Sequence, residues 1–403
     1  MPQPDPSIFP LSAILNASFP FLLGRNIAPF LSGGLALADG RIAGKDFTPP
    51  IPGTARLDAT GCVVLPGFID LHIHGSAGHD TMDATPQSLS AISAFLARHG
   101  VTAFTPTTMT APHPPTLAAV QNVAAAMAHP LPGAAILGVH LEGPYISPHF
   151  PGAQAKADIR PPNLAEFAEL VAAGPVKLIT LAPEQPGADA LIDAALDAGV
   201  RVLIGHSAAT YEQTIAGFEA GVSQATHTFN AMTGLHHRQP GVVGAVLTDD
   251  LVYAQLIADT IHVHPAAMAV LARCKGPDRL LLITDAIRAT GMPAGEYELG
   301  GQPVFVREGQ CRLADGTLAG SILTMESALQ HFLATTAWPL ERAWPVTSRT
   351  PAAALGIGNE YGSLAPGYRA DLVVLDGALE VVATIVGGRL VYLRGGEEGR
   401  LGQ

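Results

Sequence analysis

Seven side chains able to bind a metal or move a proton sit in short contexts that read as the ends of strands. The segment DLHIHG carries His72 and His74 two residues apart, and alternation along a strand turns both imidazoles to one side. HLEGP delivers Glu142, GHS delivers His206, THTFN His227, ADTIH His262, and TDA Asp285. Neutral imidazole and carboxylate are the donors that zinc and related divalent ions take at an open, catalytic position. A cation held this way acidifies bound water and polarises a carbonyl. Asp285 beside it would act as a base, taking the water's proton and passing it to a leaving group. A lone histidine at a strand end is more often a packing residue, and Asp285 alone would serve as a helix N-cap. The metal reading rests on the recurrence. His79, His99, His113, His129, His149 and His331 lack this placement and read as surface or packing residues.

The elements that must position these groups alternate along the chain. Apolar or β-branched runs cover Val63–Leu71, Val101–Pro106, Ala134–His140, Val176–Leu181, Val202–Gly205, Gln224–His227, Val252–Ala258 and Leu280–Asp285. Helical patterns over Gln87–His99, Pro115–Ala128, Leu164–Ala173, Ala188–Ala198, Tyr211–Ala220 and Pro265–Cys274 fall between most of them. Strand–helix alternation implies a parallel sheet, and eight repeats imply an α/β fold closed as a (β/α)8 barrel, with chemistry at the carboxyl ends of the strands. The joints ARHGVTAF, LDAGVRVL and FEAGVSQAT each place glycine, suited to a left-handed helix end, before a strand-opening valine. Both chain ends instead alternate apolar positions with Gly and Pro. Residues 1–65 and 362–403 are therefore expected to pair as a small β-sandwich domain. Residues 66–361 form the barrel, with a β-hairpin excursion around 295–315 marked by turn signals.

Composition excludes several classes. With 48% hydrophobic and 14% charged residues, the 403-residue chain is not disordered. A net charge of −12 argues against nucleic acid and anionic membrane as partners. Three dispersed cysteines without a C-x-x-C pair argue against a disulfide framework or thiolate zinc site. The apolar start SIFPLSAILNASFPFLL reads as strand material rather than an export signal, because no Lys or Arg precedes it and Pro10 and Pro20 interrupt it. No apolar run approaches a membrane span, so a cytoplasmic location is expected. In so acidic a chain, an anionic substrate needs a local cationic site. LHHRQPG, with His236, His237 and Arg238, joined by His262, could hold a phosphate by charge-assisted hydrogen bonds; the competing reading is a solvated basic turn.

FIDLHIHG near the start and GSLAPGYRADLVVLD near the end resemble the amidohydrolase superfamily. More narrowly, HLEGPYISP, TLAPE, GHSAAT, THTFNAM, IADTIHVHP, ITDA and GTLAGSILTM resemble the N-acetylglucosamine-6-phosphate deacetylase family. That resemblance implies Glu142, His206 and His227 as principal metal ligands, and His72 and His74 as the pair that binds a second ion in some members. It implies Asp285 as catalytic base. It further implies substrate contacts from Ala153, Asn230, Ala231, Arg238, His262, Leu318, Ala319 and Gly320. The expected cofactor is a divalent metal, zinc before iron(II) or another ion, one or two per subunit. The expected substrate is a phosphorylated amino sugar bound by a homodimer. One departure stands out: Gln154 occupies a position where the family usually presents a substrate-facing histidine, and glutamine can donate a hydrogen bond but cannot become a cation. Pro151 also replaces a commonly basic residue.

The expected reaction is hydrolysis of an acetamide on a phosphorylated amino sugar. Two alternatives stay open on the residues themselves. One is another amidohydrolase activity, such as cyclic-amide ring opening or D-amino-acid deacylation, which would not need the basic cluster. The other is a non-catalytic sugar-phosphate or metal binder, which would not need Asp285.

Overall fold

The computed structural model describes residues 11–23, 26–45 and 55–402. Eight parallel strands run in chain order around the barrel: β1 (Phe68–Ile73), β2 (Val101–Thr108), β3 (Val139–Glu142), β4 (Val176–Leu181), β5 (Arg201–Ile204), β6 (Val222–Ala225), β7 (Tyr253–Ile257) and β8 (Leu280–Ile283). Every residue of β1, β2, β3 and β8 is buried, as expected of strands covered by helices outside and by packed side chains in the barrel interior. Closure comes from β8 returning to β1: the Asp285 N–H donates to His72 O and the His74 N–H to Ala286 O, each at 2.9 Å. A buried carboxylate reinforces the seam, with Asp70 of β1 accepting the Thr284 hydroxyl at 2.5 Å.

The outer layer contains α1 (Pro86–Arg98), α2 (His113–Met127), α3 (Leu164–Ala173), α4 (Ala188–Asp197), α5 (Tyr211–Glu219), α6 (Gly241–Thr248), α7 (Pro265–Arg279) and α8 (Met325–Thr336). The three Gly-Val joints behave as expected: Gly100, Gly199 and Gly221 have φ of 77°, 72° and 112° at the exits of α1, α4 and α5. Two helices escape a periodicity reading. α6 buries six of its eight residues and has no polar stripe to betray it, while α8 lies beyond the last barrel strand. α7 runs past its expected end at Cys274 to Arg279, across a break at Gly276–Pro277.

Several strand limits shift for local reasons. The expected run Val63–Leu71 is two strands. Val63–Pro66 pairs with Leu372–Leu375 in the end sheet, and Gly67 then donates its N–H to Asp371 O at 2.8 Å before β1 begins. The third run also divides. Gly138, at φ 139°, separates a two-residue stub, Ala135–Ile136, from β3, so Glu142 is the last residue of its strand instead of lying beyond it. Asp285 and His227 lie two residues past the ends of β8 and β6.

Strands Ala13–Leu23, Asn26–Ala38, Arg41–Lys45, Arg56–Asp58 and Val63–Pro66 from the start of the chain join Leu372–Leu375, Val381–Val386, Arg389–Leu393 and Leu401–Gly402 from its end in one nine-stranded sheet with its own hydrophobic cluster. The apolar N-terminal run is thus strand over Ala13–Leu23, while its first residues, Ser7–Pro10, lie outside the described residues. The excursion is a three-stranded antiparallel sheet, Gly295–Leu299, Gln302–Arg307 and Gln310–Leu313. Its apolar face packs on Met109, Ile287 and Ala319 beside the carboxyl end of the barrel. Among the described residues, no helix is long and apolar enough to cross a membrane.

Candidate active site

The barrel gathers its reactive groups by where each strand stops. His72 is in β1 and His74 just beyond it; Glu142 ends β3. His206, His227 and Asp285 follow β5, β6 and β8, and all three hold left-handed backbone angles, φ 48°, 30° and 51°. Non-glycine residues adopt such angles at a cost of about 1–3 kcal/mol each and keep them only when the surrounding structure dictates it. The turn they make swings each side chain back over the strand ends.

Glu142 stands at the centre. Its Oε1 lies 3.1 Å from His206 Nε2 and 3.0 Å from His227 Nε2, and those two nitrogens are 3.1 Å apart. Its Oε2 lies 3.2 Å from His74 Nε2, and His72 Nε2 is 3.2 Å from His74 Nε2. Asp285 Oδ1 approaches His72 and His74 at 3.4 and 3.3 Å. Two three-residue clusters thus share one carboxylate: His72–His74–Glu142 and Glu142–His206–His227. Every converging imidazole nitrogen is Nε2. Nδ1 of His206 faces Phe150 O at 3.0 Å and Nδ1 of His74 faces Thr107 O at 3.3 Å, the outer contacts that orient ligating histidines. The donor set, its burial and this orientation fit a divalent cation in either half.

The electrostatics agree. Burial alone would raise Glu142, but the imidazoles of His72, His206 and His227 hold it well below the usual carboxylate range. Asp285 resists burial in the same way and is pulled down by His72 and His74. Burial disfavours a charge on His74, yet Asp285 and Glu142 prevail and lift it well above an ordinary imidazole. Two buried carboxylates here demand positive charge. A cation that binds between His72 and His74 competes with the proton on His74.

These groups form the floor of a cavity of about 200 Å³. Its walls include Ala153, Gln154, Asn230, Ala231, His262, Leu318 and Gly320. His262 Nδ1 bonds Asp259 Oδ2 at 2.6 Å, and Asp259 Oδ1 also receives the backbone N–H groups of Ile261 and His262 at 2.8 Å. Burial pushes Asp259 up, but His262 outweighs it and holds the carboxyl below its usual value. The excursion supplies Leu299 to the cavity, and its Gln302 donates to Ala153 O at 2.7 Å.

Two expected substrate residues are placed elsewhere. Ala319 is fully buried, its methyl packed with the excursion instead of facing the cavity, because its neighbours alternate around it. Arg238 is exposed on the loop after β6 and bonded to His237 at 2.7 Å.

Three residues near the site carried no expectation. His140 is buried in β3 with Nε2 2.7 Å from Thr180 Oγ1, Nδ1 3.1 Å from Leu71 O, and its ring 4.8 Å from that of His72. The two-residue spacing His140–Glu142 repeats that of His72–His74, so the same alternation argument finds it. Asp70 and Asp259 are anchors for residues that follow them by two or three positions, and a carboxylate that close before a functional histidine is the available signal.

A closed parallel barrel carrying four imidazoles and two carboxylates at its carboxyl end has the architecture of a metal-assisted hydrolase. Residues 63–391 match the amidohydrolase family. The chain is 43% identical over 359 residues to an N-acetylgalactosamine-6-phosphate deacetylase of Escherichia coli O157:H7, covering 88% of this chain and 94% of the relative. It is 41% identical over 356 residues to the N-acetylglucosamine-6-phosphate deacetylase of Lysinibacillus sphaericus, covering 88% and 92%. A solved Mycobacterium smegmatis N-acetyl-D-glucosamine-6-phosphate deacetylase, in complex with N-acetyl-D-glucosamine-6-phosphate, superposes with a TM-score of 0.87 at 35% identity, over 94% of this chain and 98% of that one. The chain belongs to the amidohydrolase family, in its N-acetylglucosamine-6-phosphate deacetylase branch.

Proposed function

We propose that this protein hydrolyses the acetamide of N-acetylglucosamine 6-phosphate, releasing acetate and glucosamine 6-phosphate. The carrying observation is that Glu142, His206 and His227 meet within about 3.1 Å of one another at the base of a sugar-sized cavity, with Asp285 beside them. Glu142, His206 and His227 would hold a divalent ion, zinc by the character of the N and O donors, which would supply Lewis-acid polarisation of the acetyl carbonyl and a more acidic water. Asp285, ionised by its surroundings, takes a proton from the water that attacks the carbonyl carbon and hands it to the amide nitrogen as the C–N bond breaks, so that the nitrogen leaves as an amine. His262, with Nδ1–H donating to Asp259, has Nε2 left to accept from a sugar hydroxyl. Asn230, Ala231, Ala153, Leu318 and Gly320 bound the space for the sugar ring.

Arg238 and the adjoining histidines lie outside the cavity of a single chain. We place the phosphate contact there in a homodimer, where this loop reaches a neighbouring cavity; Leu235, 59% exposed beside it, supplies an apolar contact for such a partner. A cytoplasmic location accords with a phosphorylated substrate. The galacto epimer is the second reading, favoured by the name of the Escherichia coli relative.

The test is acetate release from N-acetylglucosamine 6-phosphate, its galacto epimer and unphosphorylated N-acetylglucosamine, before and after chelation. Chelator-sensitive release from the gluco phosphosugar is expected. Release confined to the galacto epimer would transfer the assignment, and release from neither phosphosugar would overturn it.

A further inference from the structure

Gln154 is buried against the one carboxylate that both halves of the cluster share. Its Oε1 accepts the Thr110 backbone N–H at 2.7 Å, and its Nε2 donates to Glu142 Oε2 at 2.6 Å. A backbone N–H can only donate, so the oxygen of Gln154 must face Thr110 and its NH2 must face the carboxylate. The two oxygens of Glu142 are therefore unequal. Oε1, next to His206 and His227 and 3.5 Å from His72 Nε2, receives no amide hydrogen, while Oε2, next to His74, carries that of Gln154.

We propose that Gln154 is a positioning residue that separates the two cation sites by affinity. An ion between His206 and His227 meets the free lone pairs of Oε1 on a carboxylate whose rotation is pinned. With Oε1 taken by that ion, a second ion between His72 and His74 would be left Oε2, beside His74, and would share it with a hydrogen-bond donor whose positive end points at the same oxygen. The first site is tight, the second weak, and the difference is written into a side chain whose hydrogen bonds go to Thr110 and Glu142. This rests on reading the cluster as a metal centre.

The experiment strips the full-length protein with chelator and titrates it with Zn2+ against a chromophoric competitor, with metal content of equilibrated samples measured by mass spectrometry. Wild type is expected to bind one ion tightly and a second at least about 10-fold more weakly, the scale of effects from groups that orient ligands. Gln154→Met keeps the length and removes the donor, and should narrow the gap about 10-fold by loosening the first site and freeing Oε2 for the second. Gln154→His restores a donor and should keep the gap. An unchanged gap in Gln154→Met, or both affinities falling by one factor, would overturn the proposal. Failure of wild type to bind any Zn2+ would instead remove the metal centre itself, a separate outcome.

Discussion

The carboxylate of Asp70, on the first barrel strand, accepts the hydroxyl of Thr284, on the last, at 2.5 Å, directly below the residues that face the cavity. Burial lifts Asp70 to about 6, against the pull of donors from Thr284 and His72. The pair ties together the ends of a closed sheet, and the residue after Thr284 is Asp285.

Thr284→Val leaves a buried carboxylate oxygen without its hydroxyl donor and should cost about 1–3 kcal/mol, read as a lower midpoint in urea unfolding. Asp70 adds a pH signature. Its native pKa exceeds the unfolded value of 3.8, so the folded state binds more protons between the two, and stability from this group declines as pH rises from about 4 through about 6. The deficit of Asp70→Asn relative to wild type should thus shrink between pH 4.5 and 7.5. A deficit that grows over that range would contradict the assignment.

Asp285→Asn should retain bound metal and substrate affinity while kcat falls by about 10²–10⁴, the usual worth of a general acid–base group. Steady-state kinetics and metal analysis of one preparation decide this. Loss of metal in parallel with rate would make Asp285 a ligand before it is a base.

Zn2+ binding between His72 and His74 should release protons, since, against the pull of burial, Asp285 and Glu142 raise the His74 imidazole well above its ordinary value in the metal-free site. The sign is fixed: affinity falls as pH drops, because protons compete for the same nitrogen. Calorimetric titrations in two buffers of different ionisation enthalpy measure the number released. An identical heat in both would refute it.

Arg238→Ala should raise KM for a phosphorylated substrate by about 10–100-fold, equivalent to one or two charge-assisted hydrogen bonds, with turnover of the unphosphorylated sugar unaffected. Equal effects on both would return the basic loop to a solvated turn.

The local chemistry was readable because each functional group ends an apolar run, and a strand's alternation determines on which side its neighbours lie. His72, His74 and Glu142 follow from that rule, and so would His140 had it been applied to β3. The limits of β3 and the split at Gly67 were not readable, because apolarity is the same whether a strand belongs to the barrel or to the end sheet; only hydrogen-bond partners distinguish them. α6 was missed for the same cause, being buried on all sides.

Residue types and order along the chain determined the barrel and which side chains gather at its carboxyl end. Tertiary structure decided that one carboxylate serves both histidine pairs, that Gln154 holds one of its oxygens, and that Arg238 stands outside the cavity. The first two join groups 12 to 85 residues apart at distances near 3 Å. Spacing along a chain carries no information at that scale; the closure of the strands and the turns that follow them set it.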